Sequence, residues 1–153
     1  MATIRFKGID KYIAQLQRIG AGSEEMVKRS IYTGAGIVAD SIARSMASVP
    51  TRADHFYPKG TVQPGPTQEE KNEMMQGFGL SKMQTRNGII TVKAGFAGRS
   101  ESGVTVATLA RRVESGTSWM HKTPFVRSAT NAAKAAAEEA MRRQFDEDLK
   151  KMM

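Results

Sequence analysis

Apolar residues recur at spacings of three and four along two stretches near the start of the chain. The first, 10–20, follows a candidate cap at Asp10, and the second, 23–47, begins at Ser23 and stops before Pro50, because the residue preceding a proline is disfavoured in a helix. Such spacing is typical of one buried helical face, so we predict helices over 10–20 and 23–47. The apolar positions are Ile9, Tyr12, Ile13, Leu16 and Ile19, then Val27, Ile31, Ala35, Val38, Ile42 and Met46.

The periodicity is lost over 48–66, where prolines and glycines are frequent. We predict a long loop here. Loops longer than about 12–15 residues without structure of their own are usually functional or disordered, which makes this one a candidate contact arm. Thr67 is followed three residues later by Glu70, the pattern of a capping box in which each side chain accepts a hydrogen bond from the other residue's amide. This pattern predicts a short helix over 67–76.

Strand-like runs replace the helical spacing after Gly77. Asn87 and Gly88 separate two of these runs, and both residues tolerate the positive φ of a two-residue turn. We therefore predict a hairpin over 80–96. A short third strand is predicted over 104–106.

Two further helices are predicted in the last third of the chain. Residues 106–115 carry apolar side chains at helical spacing and end at Gly116, which adopts a left-handed conformation at little cost. The helix over 124–151 begins with Pro124 behind a Thr123 cap and is rich in alanine. At 1.5 Å per residue it would be about 40 Å long, so we expect part of it to project or to pack on another subunit.

These elements predict a single α+β domain over residues 1–153. A small antiparallel sheet centred on the hairpin would be packed by the N-terminal helices and the long C-terminal helix, because so small a sheet needs helix cover to be stable. A chain of 153 residues can bury about 70% of the surface that its unfolded form exposes, which suffices for a core without disulfides or metals.

The positive net charge of the chain favours binding to polyanions but does not identify a particular one. Lysine and arginine number 23 against 15 aspartate and glutamate, a formal net charge of +8 that is spread along the chain. Nearness to DNA or RNA is one interpretation, and a basic protein without a nucleic-acid role is the other.

The absence of cysteine excludes disulfides and thiolate chemistry. No apolar run approaches the roughly 20 residues of a membrane span, so we expect neither membrane association nor a secretion signal.

Motifs for cofactors, metals and catalysis are weak. Gly34 and Gly36 open a GxGxxA pattern, but the pattern falls inside a predicted helix instead of after a strand, so we interpret these glycines as sites of close helix crossing. The two histidines, His55 and His121, lie in loop-like stretches without the spacing of a ligand set. No combination of nucleophile, acid and base is recognisable, so we predict no catalytic residue, no cofactor, no metal and no enzymatic activity.

Residues 113–129 form the most specific segment and read VESGTSWMHKTPFVRSA. The segment resembles the pattern E-x-G-T-S-x-M-x-x-x-P-F-x-R-x-A of a family of tail components encoded between the head and tail genes of long-tailed double-stranded DNA phages. The stretch from Gly8 to Tyr12 resembles the start of that family's first helix. The motif positions in this sequence are Glu114, Gly116, Thr117, Ser118, Met120, Pro124, Phe125 and Arg127.

The chemistry of this segment fits a hinge before the last helix. A glycine would end one element, hydroxyl groups would bond the local backbone, Met120 and Phe125 would pin the loop to the core, and Pro124 would start the helix. We further hypothesise that Arg127 bridges to Glu114.

The resemblance implies a virion structural protein of the phage neck or tail top, present in the host cytoplasm during assembly. Its copies would form a homo-oligomeric ring that joins the head to the tail, together with other neck, head-completion or tail proteins. A ring needs two different complementary faces, for which the C-terminal helix and the loop over 48–66 are candidates.

Packaged DNA could pass through such a ring without sequence-specific contacts. We predict Arg52, Lys59 and Arg99 as the residues that would meet its phosphates. The alternative function is a stand-alone basic module that binds nucleic acid, although the sequence has no recognition helix dense in arginine and no paired stacking aromatics.

Overall fold

The computed structural model describes residues 2–4, 23–53 and 58–152. Within these ranges the chain forms four helices and four strands. In chain order they are β1 (Ala2–Ile4), α1 (Ser23–Ala47), α2 (Gln68–Gly77), β2 (Phe78–Leu80), β3 (Gln84–Arg86), β4 (Ile89–Phe96), α3 (Val106–Ser115) and α4 (Phe125–Met152). The predicted helix over 10–20 lies outside the described residues.

The other four predicted helices are present, with bounds within one residue of those predicted. The capping box of α2 forms as expected: the amide of Glu70 donates to Thr67 Oγ1 at 3.1 Å, and the amide of Thr67 donates to Glu70 Oε2 at 3.2 Å. Near the start of α1, Lys28 donates to Glu24 of the first turn, and this hydrogen bond raises the pKa of Lys28 above its ordinary value of 10.5.

The sheet is antiparallel and is built around β4. One edge of β4 pairs with β1, and the other edge pairs with β2 and β3. The predicted turn joins β3 to β4, with φ values of 53° at Asn87 and 75° at Gly88. These positive values confirm the reason for placing the turn there.

The predicted strand over 80–86 is split into β2 and β3 by a bulge. Leu80 pairs with Ala94, whereas Gln84 pairs with Thr91, so three residues on the outer strand face two on β4. The additional residue bends the outer strand and increases its local twist.

The predicted third strand over 104–106 is wrong. Thr105 makes one isolated bridge with Arg99, and α3 begins at the next residue, Val106. Thr105 caps this helix, because its Oγ1 accepts a hydrogen bond from the amide of Thr108 at 3.2 Å. Capping holds position 105 in extended geometry without making it part of a strand.

Helices α1 and α4 pack antiparallel along most of their length. Near the start of α1, Arg29 Nη1 lies 3.0 Å from Asp148 Oδ1, and near its end Ser41 Oγ donates to the carbonyl of Ala129 at 3.1 Å. Buried positions recur from the first residue of α4 to its penultimate turn. The expectation that part of this helix projects from the fold is therefore wrong. The buried positions are Phe125, Ala129, Ala133, Ala137, Met141, Phe145 and Asp148.

One of the two glycines in α1 permits this close approach. A Cβ at Gly34 would lie 2.5 Å from Cγ and Sδ of Met141 and 3.4 Å from the carbonyl oxygen of Ala137. The predicted helix crossing is therefore confirmed at Gly34. It is wrong for Gly36, where a Cβ would meet no atom within 4 Å.

One core cluster lies between α1, the sheet, α2, α3 and the first half of α4, and a second lies between the first half of α1, Val92 of β4 and the second half of α4. Helix α1 covers the sheet, and α4 packs mainly on α1. The first residue of α4, Phe125, reaches the sheet, where its ring lies edge-on to that of Phe96 with centroids 6.2 Å apart. The α+β architecture is as predicted, but α1 and not α4 is the main helix cover of the sheet.

A buried carboxylate lies near the end of α4. Only 2% of the Asp148 side chain is exposed, and its Oδ1 accepts hydrogen bonds from Arg29 and from Gln144, the latter at 3.3 Å. Its Oδ2 has no hydrogen-bond partner among the described residues. The ion pair with Arg29 therefore joins two helices through a charge that is costly to bury.

Candidate interaction surface at the hinge before the last helix

Glu114, in the last turn of α3, caps the start of α4. Its Oε2 accepts a hydrogen bond from the amide of Val126 at 2.8 Å, and its Oε1 accepts one from the amide of Arg127 at 3.0 Å. The carboxylate satisfies two amides that have no partner within the helix, and it lies at the positive end of the helix dipole. The contact with position 127 is thus made by the Arg127 backbone and not, as hypothesised, by its side chain, which is exposed.

The turn after α3 depends on Gly116. Its φ of 74° is rarely adopted by other residues, and a Cβ would lie 2.9 Å from the backbone nitrogen of Lys122. The amide of Gly116 donates to the carbonyl of Arg112 at 2.8 Å, which closes the last turn of α3. This glycine therefore brings the two ends of the following loop close together.

A tight turn follows at the tip of the hinge. The amide of Thr117 donates to the carbonyl of Met120 at 3.0 Å, and Thr117 Oγ1 accepts a hydrogen bond from the amide of Trp119 at 3.3 Å. Ser118 is exposed in this turn. Backbone pairing, assisted by one hydroxyl group, therefore fixes the conformation at the tip.

Two side chains of the motif anchor the hinge in the core. Met120 and Phe125 are 3% and 2% exposed. Pro124 directly precedes α4, and its carbonyl accepts a hydrogen bond from the amide of Ser128 at 3.0 Å. Thr123, the predicted cap, contributes its carbonyl to the amide of Phe125 at 2.7 Å, while Glu114 binds the next two amides.

The loop over 48–66 is bound to the hinge through Gln63. The amide of Gln63 donates to the carbonyl of Trp119 at 2.8 Å, and its carbonyl accepts a hydrogen bond from the amide of His121 at 2.9 Å. We call residues 111–127 the hinge, and residues 58–66 together with the hinge the hinge surface. The surface thus joins two segments that are about fifty residues apart in the chain.

The side chain of Arg52 links the loop over 58–66 to the hinge and to the start of α2. Its Nη1 donates to Gln63 Oε1, its Nη2 lies 3.7 Å from Glu70 Oε1, and its guanidinium carbon lies 5.6 Å from the centroid of the Trp119 ring. The cationic group is therefore engaged with three side chains of the protein and covers one face of the indole ring.

The three residues predicted to contact DNA do not form one patch. Arg52 lies beside the start of α2, and Arg99 belongs to the loop that follows β4 beside the end of α2. Helix α2 has 10 residues and is therefore about 15 Å long. Arg99 donates to the carbonyl of Gly103 at 3.0 Å, and Lys59 is exposed in a turn of the loop.

An open groove of about 480 Å³ lies between the sheet, α3 and the start of α4. Its edge carries Arg111 and Glu114 from α3. Exposed apolar surface in a concave site is typical of contacts with other molecules. The partly exposed apolar lining is Phe78, Phe96, Ala107 and Val126, and the buried residues Ile42, Ala94 and Ala110 lie beneath it.

Sequence reasoning missed the roles of Gln63 and Arg111. Gln63 acts through its backbone, so its side-chain type carries no signal for that role. Arg111 is one of several arginines in a chain with excess charge, and only the fold places it beside the groove. Its position within the basic segment 111–127 was the one signal available from the sequence.

Within the described ranges, no three side chains of His, Asp, Glu or Cys are grouped as a metal site would require. His121 is exposed in the hinge, and His55 lies outside the described residues. None of the described helices is long and apolar enough to cross a membrane.

Comparisons with protein-family models, with curated proteins and with solved structures find no match to this chain. A functional conclusion therefore depends on the geometry of the hinge surface and on the resemblance of residues 113–129.

Proposed function

We propose that this chain is a structural protein of the neck or tail top of a long-tailed phage, in which copies of the chain form a ring that joins the head to the tail. The observation that supports the proposal is that the motif residues within 113–129, the segment that resembles the phage family, fix the turn between α3 and α4. Glu114 caps α4, Gly116 makes the turn, and Met120 and Phe125 anchor the loop in the core. These residues hold a fixed geometry, as a ring subunit requires.

The monomer offers two different faces for a ring contact. The groove beside Phe78 and Phe96 is an apolar concave face. The hinge surface carries Trp119 and Val62, which are 38% and 42% exposed. Exposed tryptophan is among the side chains that most often dominate binding energy, and a ring requires heterologous contacts between unlike faces. We assign the groove wall at Phe78 and Phe96 to one side of the subunit contact and the exposed side chains of Trp119 and Val62 to the other, with Arg111, Lys122 and Arg127 in neither.

Assembly of the purified chain tests this proposal. Light scattering after size-exclusion chromatography gives the mass of the particle, and negative-stain electron microscopy shows whether closed rings form. We expect rings, and we expect Trp119→Ala to raise the concentration needed for assembly by about tenfold or more. Ile89→Ala at the hairpin turn is the matched control, because it also removes an exposed apolar side chain but lies outside both faces.

Circular dichroism must show that both variants remain folded. Equal effects of the two substitutions would reject the assignment of the hinge surface. A chain that stays monomeric at every accessible concentration, and that mass spectrometry does not find in purified phage particles, would reject the structural role itself.

A further inference from the structure

The hinge carries a local excess of positive charge. Residues 111–127 contain four lysine or arginine residues and one glutamate. Three of these cations, Arg111, Lys122 and Arg127, are exposed. In the part of the chain that the structure describes, the ion pairs involve other cations.

The backbone brings these three cations to one end of the molecule. The Cβ position at Gly116 lies 2.9 Å from the nitrogen of Lys122, and the amide of Arg127 lies 3.0 Å from Glu114 Oε1. Arg111 precedes Glu114 by one helical turn and lines the same groove. All three residues are therefore within about one helical turn of the contacts that close the hinge.

Glu114 does not cancel this charge. Both of its oxygens are bound to amides at the start of α4, where the helix dipole contributes a positive partial charge of about half a unit. A carboxylate in that position offsets the helix terminus as well as the nearby cations. The field outside the hinge is therefore positive.

We infer that the hinge binds the phosphate backbone of double-stranded DNA without reading its sequence, which rests on the proposed ring through which packaged DNA passes. Arg111, Lys122 and Arg127 each contact a phosphate group. Duplex DNA presents one negative charge per about 1.7 Å of axis, so three neighbouring cations meet separate phosphates. Contacts of this kind hold the backbone and carry no information about the bases.

The state of Trp119 favours a duplex over a single strand. Proteins that bind single strands stack bases on exposed aromatic rings. One face of the Trp119 ring is covered by the Arg52 guanidinium group at 5.6 Å. The hinge therefore offers cations to phosphates and no open pair of rings to bases.

Salt dependence of DNA binding tests the inference. Fluorescence anisotropy with a labelled 30-base-pair duplex gives the association constant at several NaCl concentrations. The hinge variant combines Arg111→Gln, Lys122→Gln and Arg127→Gln. We expect its plot of log K against log salt to lose about 2–3 units of slope, and its affinity near 0.1 M salt to fall by about tenfold or more.

A remote variant with the same change in charge is the control. It combines Arg86→Gln, Arg142→Gln and Lys151→Gln, which are exposed in β3 and along α4. We expect it to lose less than about one unit of slope. Circular dichroism verifies the folding of both variants.

A single substitution tests the sign of the effect. Glu114→Gln makes the hinge more positive by one unit while keeping one oxygen acceptor for the start of α4, so we expect tighter binding at equal salt. Glu138→Gln, on the exposed side of α4, makes the same change in charge elsewhere and should have a smaller effect.

The inference is overturned if the hinge and remote triple variants lose equal slope, or if a single-stranded oligonucleotide of equal charge binds more tightly than the duplex. The proposed function is measured separately, by the mass and ring formation of the same samples. Rings formed by a wild-type chain whose hinge variant binds DNA unchanged would reject the phosphate site alone. A monomeric chain that does not occur in phage particles would reject the ring whatever its affinity for DNA.

Discussion

Replacing Glu114 tests whether the hinge is held by a carboxylate bound to the backbone of α4. Glu114→Ala removes both acceptors and leaves the amides of Val126 and Arg127 without these partners. Hydrogen bonds to charged groups contribute about 1.5–3 kcal/mol, and loss of an N-terminal cap costs about 0.5–2 kcal/mol. Because Glu114 is only half-buried and water can replace part of the interaction, we expect the free energy of unfolding to fall by about 2 kcal/mol.

Two further substitutions separate the contributions. Glu114→Gln keeps one oxygen acceptor but removes the charge beside the helix terminus, so we expect a loss of about 1 kcal/mol. Arg127→Ala should change the free energy of unfolding by less than about 0.5 kcal/mol, since alanine retains the amide that contacts Glu114.

Urea unfolding followed by circular dichroism gives these differences by linear extrapolation, provided that the slope with urea is unchanged. In a chain of this size, a loss of 2 kcal/mol lowers the melting temperature by about 4–8 °C. The reasoning is refuted if Arg127→Ala is as destabilising as Glu114→Ala and if exchanging the two charges restores stability. Only an ion pair between the side chains would give that pattern.

Urea unfolding also checks three other expectations. Gly36→Ala should raise the free energy of unfolding by about 0.5–1 kcal/mol, since the site is open and alanine favours helix. Gly34→Ala should lower it by about 1 kcal/mol, since a Cβ there crowds α4. The reverse order of the two stabilities would contradict the helix crossing at Gly34. Gly116→Ala should cost roughly 1–3 kcal/mol because of its φ of 74°, and a neutral result would contradict the strained turn. Arg29→Ala should cost about 1–3 kcal/mol more than Asp148→Asn, because it leaves a buried carboxylate without its cation, and equal losses would contradict that account.

Local signals were sufficient to predict four helices. Ser23 and Thr67 mark helix starts, Gly116 marks an end, and Pro124 directly precedes the start of α4. Each signal acts through its own side chain, backbone groups or dihedral angle, within a few residues of its position in the sequence. The bounds of an element are predictable from sequence where its caps are local in this sense.

Contacts between distant residues were not predictable in the same way. The bulge after Leu80 depends on register with β4, and Glu114 caps an amide twelve residues away. Arg52 was predicted to face DNA because arginine is charged, but the fold places Gln63, Glu70 and Trp119 around it. Sequence gives the charge of such a side chain, and tertiary structure decides whether a partner within the protein already satisfies it.

The antiparallel pairing of α1 with α4 also determines when the protein can fold during translation. Arg29 and Asp148 are separated by 119 residues, so at about 5–20 residues per second the ribosome needs roughly 6–24 s to deliver the second helix after the first. For that time the apolar stripe of α1 emerges into the cell without the surface that later covers it. Rapid synthesis or a chaperone that shields this helix should therefore raise the yield of native subunits, and slow synthesis should favour aggregation of nascent chains.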